Sequence, residues 1–182
     1  MSEELDVLKL VTQRLKKEKI SYLVSGSMAA NYYTMPRMTR DVDIVIELLS
    51  DQISRFVKAF QADFYLDEAV IKDEVARKGM FNLIHKEYAF KIDFIIRKST
   101  LFQDSSFQRK KDVMIGDFGI SLISLEDLII AKLLWAKDSL SDLQLGDIRN
   151  LLNSTKSIDQ KYLKKWIKRL ELERIFNNAS ST

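Results

Sequence analysis

The chain has 182 residues, 46% of them hydrophobic and 30% charged, with a net charge of +3; this is the composition of a folded domain, and the charge does not demand a nucleic-acid partner. It has no cysteine and one histidine, His85. Disulfides, thiolate nucleophiles and Cys- or His-rich metal sites are therefore excluded, and any metal must be held by oxygen, which favours magnesium or manganese.

Residues 2–19 read as an amphipathic helix with Leu5, Leu8, Val11 and Leu15 on one face. Ile20–Val24 reads as a short buried strand. Gly26 frees the backbone, and Ser27 is read as the N-cap of a short helix over Met28–Tyr33. Pro36, the only proline, stops that helix. Asp41–Leu48 is the second strand. Ser50 is read as the cap of a helix with Ile53, Phe56, Val57 and Phe60 inward. Phe64–Leu66 reads as a short strand, and Asp67–Lys78 as a helix ended by Gly79. Met80–Lys86 and Phe90–Ile96 form a hairpin turning near Glu87. Residues 99–111 carry no clear pattern. Asp112–Ile115 and Gly119–Ile123 flank a turn at Gly116-Asp117.

From Ser124 the character becomes helical. Ser124 and Asp127 approximate a capping box for a helix to about Lys137. Asp142–Asn153 is a second helix, and Asp159 caps a third with Leu163, Trp166 and Ile167 inward. A last short helix reaches Phe176. The expected organisation is an α+β core over 1–123, a C-terminal helical segment over 124–176 packed on it, and a disordered tail over 177–182. No apolar run reaches the length of a membrane span, and the acidic start has no signal-peptide core. A cytoplasmic protein without a membrane partner is expected.

The chemistry concentrates between Tyr22 and Ile46. Asp41 and Asp43 sit in a strand, where Asp is unfavourable. Alternation puts them on one face, roughly 6–7 Å apart along the chain. Like charges that close call for a cation or a proton between them. Asp93 is a third carboxylate in an apolar strand. If the two strands are neighbours in register, Asp41, Asp43 and Asp93 converge and suit one or two divalent cations. Gly26-Ser27 at a helix N-terminus suits a phosphate. Arg37 and Arg40 flank the carboxylates and read either as phosphate contacts or as surface ion pairs.

Gly26-Ser27, then Asp41-Val42-Asp43-Ile44, then Asp93 between Ile92 and Phe94, resembles the DNA-polymerase-β-type nucleotidyltransferase superfamily. The run GSMAANYYTMPRMTRDVDIVI, with Lys91-Ile92-Asp93-Phe94, Lys132 and Asp147, is more narrowly similar to the small bacterial nucleotidyltransferases grouped with AbiEii-type toxins. The resemblance implies the nucleotidyltransferase fold: a small mixed β-sheet flanked by helices, with a C-terminal helical segment. It implies Mg2+ or Mn2+ as cofactor, an NTP as substrate, and transfer of a nucleoside monophosphate to an acceptor hydroxyl on RNA (such as tRNA), a protein or a small molecule. It also implies a toxin–antitoxin connection with an antitoxin partner. Asp41, Asp43 and Asp93 would be catalytic and hold the metal, with Lys132 and Asp147 acting at the same site. Gly26, Ser27, Arg37 and Arg40 would bind the nucleotide. After Lys132 the chain departs from the toxin enzymes, with Trp135-Ala136-Lys137-Asp138 in place of an arginine-rich spacing.

Independently of the resemblance, Lys132 falls on the stripe Leu125, Leu128, Ile129, Trp135, Ala136. A lysine there needs a partner or a route to water. His85 reads as structural or exposed. Phe81, Tyr88 and Phe94 read as core, and Tyr32 and Tyr33 as core or base-stacking. Arg109-Lys110-Lys111 reads as a solvated run or an RNA contact. Two other functions fit parts of the pattern: a nucleotide- or partner-binding module without turnover, and a metal-dependent nuclease.

Overall fold

The computed structural model describes residues 3–39, 41–139, 142–154 and 157–180. Its elements run α1 (Glu3–Lys17), β1 (Ser21–Ser25), α2 (Gly26–Tyr33), β2 (Asp41–Glu47), a 3-10 turn (Ser50–Gln52), α3 (Ile53–Phe60), β3 (Phe64–Tyr65), α4 (Glu68–Arg77), β4 (Met80–His85) and β5 (Lys91–Ile96). They continue with α5 (Leu101–Gln108), β6 (Lys111–Ile115), β7 (Phe118–Leu122), α6 (Leu125–Ser139), α7 (Asp142–Leu152), α8 (Gln160–Arg169) and α9 (Glu173–Ser180).

The strands make one mixed sheet of seven in the order β3-β4-β5-β2-β1-β7-β6. β2 lies in the middle, antiparallel to β1 and parallel to β5. Alternation along these strands divides the sheet into two unlike faces. Val24, Val42, Ile44, Ile92 and Phe94 are fully buried on one of them. There Phe94 packs against Phe56 and Phe60 of α3, with ring centroids 5.4 and 6.1 Å apart. Burying one such ring contributes about 1.5–3 kcal/mol. The other face carries Asp41, Asp43 and Asp93. The C-terminal helices approach that face: α6 packs on α2 and on α8, and α7 packs on α2. No helix among the described residues is long and apolar enough to cross a membrane.

Several local expectations change. The helix after β1 begins at Gly26, so Ser25 is its N-cap and Ser27 lies inside the first turn. Leu49, not Ser50, precedes the 3-10 turn that leads into α3. Lys78, at φ +56°, takes the left-handed position after α4 that was expected of Gly79. The patternless stretch holds α5, capped by Thr100 Oγ1 accepting from the Gln103 amide. The last helix runs through Ser180, past the point where a loose tail was expected, because Ile175 and Ala179 are buried. Other signals hold. Ser124 Oγ donates to Asp127 Oδ2 at 2.6 Å, and Asp159 Oδ1 accepts from the Tyr162 amide at 2.9 Å.

Candidate active site

The register between β2 and β5 builds the acidic part of the site. Asp43 is paired directly with Asp93, and Asp41 with Lys91. All four side chains belong to the same sheet face, in two neighbouring strands roughly 4.8 Å apart. Lys91 Nζ lies 2.6 Å from Asp93 Oδ2, and this contact raises the lysine's pKa. Thr39 Oγ1 shares its proton between the Asp41 carboxylate and carbonyl, each at 3.1 Å. Burial, then the charges of Asp41 and Asp93, push the Asp43 carboxyl up to about 6, against the opposing pull of Lys132 and Lys91.

Gly26 lets this carboxylate sit where it does. Ser25 pairs with Asp43 across β1 and β2, so the chain turns into α2 directly beside that side chain. A Cβ at position 26 would stand 1.7 Å from Asp43 Oδ2, and the residue has φ +60°. Only glycine combines that backbone angle with that contact. Ser25 makes no capping hydrogen bond to the first turn, and the turn holds no acidic side chain. Among the described residues these first-turn amides thus have no capping side chain from Ser25 or from their own turn, as suits an anion-binding helix terminus.

A second arm of the site is basic and comes from the helices. Lys132, on α6, is only 5% exposed. Its ammonium donates to Asp147 Oδ2 on α7 at 2.8 Å, which is the partner that its place in an apolar stripe requires. Arg37 also grips Asp147, through Nη2 to Oδ2 at 3.0 Å and Nε to Oδ1 at 3.3 Å. The same guanidinium donates to Ser27 Oγ at 2.9 Å. Asn31 clasps the backbone of Arg37 from both sides, donating to its carbonyl at 2.7 Å and accepting from its amide at 3.0 Å. Ser27, Arg37, Asp147 and Lys132 therefore form one chain linking α2, the following loop, α7 and α6. Arg40 lies outside the described residues.

A cavity of about 610 Å³ joins these parts. Gly26, Ser27, Arg37, Asp41, Asp43, Asp93 and Lys132 all line it, with Thr39 and Trp135. Asp147 does not line it; it stands behind Lys132. Burial alone would raise the Asp147 pKa, but the hydrogen bonds and charges of Arg37 and Lys132 outweigh it and hold the carboxyl below its ordinary value. A depressed carboxyl stabilises the fold above the ordinary value of 3.8 and loses that contribution as pH falls through the lowered folded value. Asp147→Asn leaves Lys132 buried with a neutral partner, and is expected to lower stability at pH 7 by about 2–4 kcal/mol. Urea unfolding at pH 7 and at pH 3 checks this. The gap between wild type and variant narrows at the lower pH, and an equal gap at both would contradict the assignment.

Three carboxylates with Thr39 beside them are a hard-oxygen donor set, suited to magnesium or manganese. The raised Asp43 pKa marks a place where a cation relieves repulsion. As arranged, Lys91 engages Asp93, and among the described residues no group of three acidic or histidine side chains is gathered tightly enough to hold an ion. The donor chemistry of Asp41, Asp43 and Asp93 suits a divalent cation, and Lys91 would compete with it for Asp93.

Other candidates fall elsewhere. Arg109 turns inward to Glu126 at 3.0 Å, and Lys110 reaches Ser21 Oγ at 3.1 Å, so neither is a free RNA contact. His85 is buried and stacks on Tyr88 at 4.9 Å. Phe81 and Phe94 are core, whereas Tyr88 is exposed. The Tyr33 hydroxyl donates to the Ile123 carbonyl at 2.7 Å; Tyr32 lies against a different cavity, beside Met28 and Pro36. Four contributors fell inside motifs or elements read in the sequence without being given these roles: Lys91 as the counter-ion of Asp93, Thr39 as a partner of Asp41, Asn31 as the brace of Arg37 and Trp135 as a cavity wall. Only Lys91 had a local signal, since it precedes Asp93 by two residues in an alternating strand.

No family model and no curated protein matches the sequence. Solved structures do. An antigenic nucleotidyltransferase-like protein from Paracoccidioides brasiliensis is similar with a TM-score of 0.55 at 18% identity, over 98% of this chain and 92% of its own. The lincosamide antibiotic adenylyltransferase LnuA, lincomycin-bound, gives 0.56 at 16% identity, over 84% of this chain and 98% of its own. The antibiotic-resistance factor ANT(2'')-Ia gives 0.58 at 9% identity, over 93% and 91%. At these identities the likeness is one of fold. The chain has the α+β nucleotidyltransferase fold, a mixed sheet flanked by helices with a helical C-terminal segment.

Proposed function

We propose that the chain is a metal-dependent nucleotidyltransferase, moving a nucleoside monophosphate from an NTP to an acceptor hydroxyl with release of pyrophosphate. The observation that carries this reading is the register that sets Asp43 beside Asp93 at the N-terminus of α2. Asp41, Asp43 and Asp93 would hold magnesium or manganese. That ion would supply charge neutralisation to the triphosphate and to the pyrophosphate that leaves. The first-turn amides at Gly26 and Ser27 receive phosphate oxygens. Lys132 and Arg37 add positive charge to the cavity wall, and Asp147 holds both. Arg40, beside Asp41, is a further phosphate contact in this reading. In this reading Asp93 receives the acceptor's proton.

The narrower likeness to AbiEii-type enzymes is supported by the Lys132–Asp147 pair. In that reading the protein acts in the cytoplasm and has an antitoxin partner. The Lys91–Asp93 ion pair favours a second reading, a nucleotide-binding module without turnover, because the ammonium competes with the metal for Asp93.

Cell extract incubated with magnesium or manganese and an NTP labelled at the α-phosphate separates the two. Transfer predicts a labelled product with wild type and none with Asp41→Ala/Asp43→Ala. Equal labelling by both proteins contradicts it.

A further inference from the structure

The face of the sheet that carries the carboxylates continues beyond them. Two residues past Asp43 and Asp93 lie Val45 and Ile95, with Leu23 beside them on β1. These three floor a second cavity of about 500 Å³, walled by Phe102 of α5, Trp135 of α6 and Trp166 of α8. Both tryptophans of the chain are in its wall. It adjoins the carboxylate cavity: Ser25, Ile95, Ala131 and Trp135 line both. Trp135 stands at the junction, 59% exposed. No acidic side chain lines this second cavity among the described residues; its charged groups are Lys98 and Arg169, both exposed. The Arg169 guanidinium sits 5.4 Å from the Trp166 ring.

We propose that this cavity is the acceptor subsite, taking a small molecule with an apolar, ring-bearing body that is neutral or singly anionic and offers a hydroxyl to the carboxylates. The inference rests on the transferase reading. A volume of this size suits a drug-sized ligand. The indole and phenyl walls favour stacking on a ring. The sign of the edge charges disfavours polycations. Two edge cations are also too few to track a polynucleotide backbone. The triphosphate belongs to the other cavity, with Gly26, Lys132 and Arg37. In the step itself the acceptor oxygen forms a bond to the α-phosphorus. The bond from that phosphorus to the bridging oxygen breaks, its electron pair leaves on pyrophosphate, and the hydroxyl proton passes to Asp93 and on to solvent.

The probe is anilinonaphthalene sulfonate, a ring-bearing monoanion, read by energy transfer from the two tryptophans in the full chain without nucleotide. Saturable binding is expected in wild type and equally in Asp43→Asn. Val45→Phe, which fills the floor, and Leu101→Glu, which adds a negative charge at an exposed edge position without disturbing packing, are each expected to weaken it by about 10-fold or more. Neither spermine, a short single-stranded RNA nor magnesium ATP is expected to displace the probe. Absence of binding, indifference to both substitutions, or displacement by any of those three competitors overturns the proposal. Intact probe binding together with equal extract labelling by wild type and Asp41→Ala/Asp43→Ala removes the transferase reading instead, and the acceptor role with it.

Discussion

Asp43→Asn is expected to make the metal-free protein more stable and the enzyme nearly inactive. Burial and two neighbouring carboxylates raise the Asp43 pKa from 3.8 to about 6. Across that window the folded chain binds more protons than the unfolded chain, so this residue removes stability as pH rises through it. At pH 7 the ionised group costs the metal-free fold about 1–3 kcal/mol. Asparagine keeps the shape without the charge, so with chelator present the variant should melt about 2–8 °C higher at pH 7. At pH 4, where the native carboxyl is protonated, the difference should nearly vanish. Transfer should fall about a thousandfold, since a metal ligand worth several kcal/mol of charge stabilisation is gone. Thermal melts at both pH values, with label transfer on the same preparations, check both halves. A variant that melts no higher and still transfers would contradict the assignment of this carboxylate.

Gly26→Ala should be the most damaging change of a single methyl group. The new Cβ would fall 1.7 Å from Asp43 Oδ2 and 2.6 Å from its Cγ. Asp43 belongs to the central strand and cannot retreat with its backbone, so its side chain must rotate out of the site. The left-handed angle adds about 1–2 kcal/mol for a residue with a Cβ. A loss of about 2–4 kcal/mol of stability is expected, along with loss of transfer comparable to that of Asp43→Asn. A double-mutant cycle with Asp43→Ala isolates the cause. Truncating Asp43 removes the two shortest contacts and leaves only its Cβ at 2.9 Å, so the two changes should couple by about 0.5–3 kcal/mol. Strict additivity would show that the glycine serves only its backbone angle.

The parts of the site written in local periodicity were legible in the sequence. Asp41 and Asp43 share a face because strands alternate, and Asp93 was marked by its apolar neighbours. Lys132, interrupting an apolar stripe, called for a partner or a route to water, and Asp147 is the partner. The parts set by tertiary pairing were not legible. Nothing near Asp43 says that β5 lies beside β2 in parallel, with Asp93 opposite Asp43. Arg37 reads from its neighbours as a phosphate contact or a surface ion pair, yet the aspartate it grips is buried and 110 residues away. Arg109 and Lys110 read as a surface run because their partners lie on α6 and β1. The helix α5 escaped because Asp104, Ser105 and Ser106 in its middle compete for backbone hydrogen bonds and favour turns. Burial of Phe102 and Phe107 overrides that preference.

Parallel reactions with one NTP labelled at the α- or the γ-phosphate, each with magnesium and cell extract, test the central claim most directly. A nucleotidyltransferase attaches the α-label to the acceptor and releases the γ-label as pyrophosphate, and both signals disappear in Asp41→Ala/Asp43→Ala. Attachment of the γ-label, or α-label transfer that survives loss of both aspartates, would contradict the account.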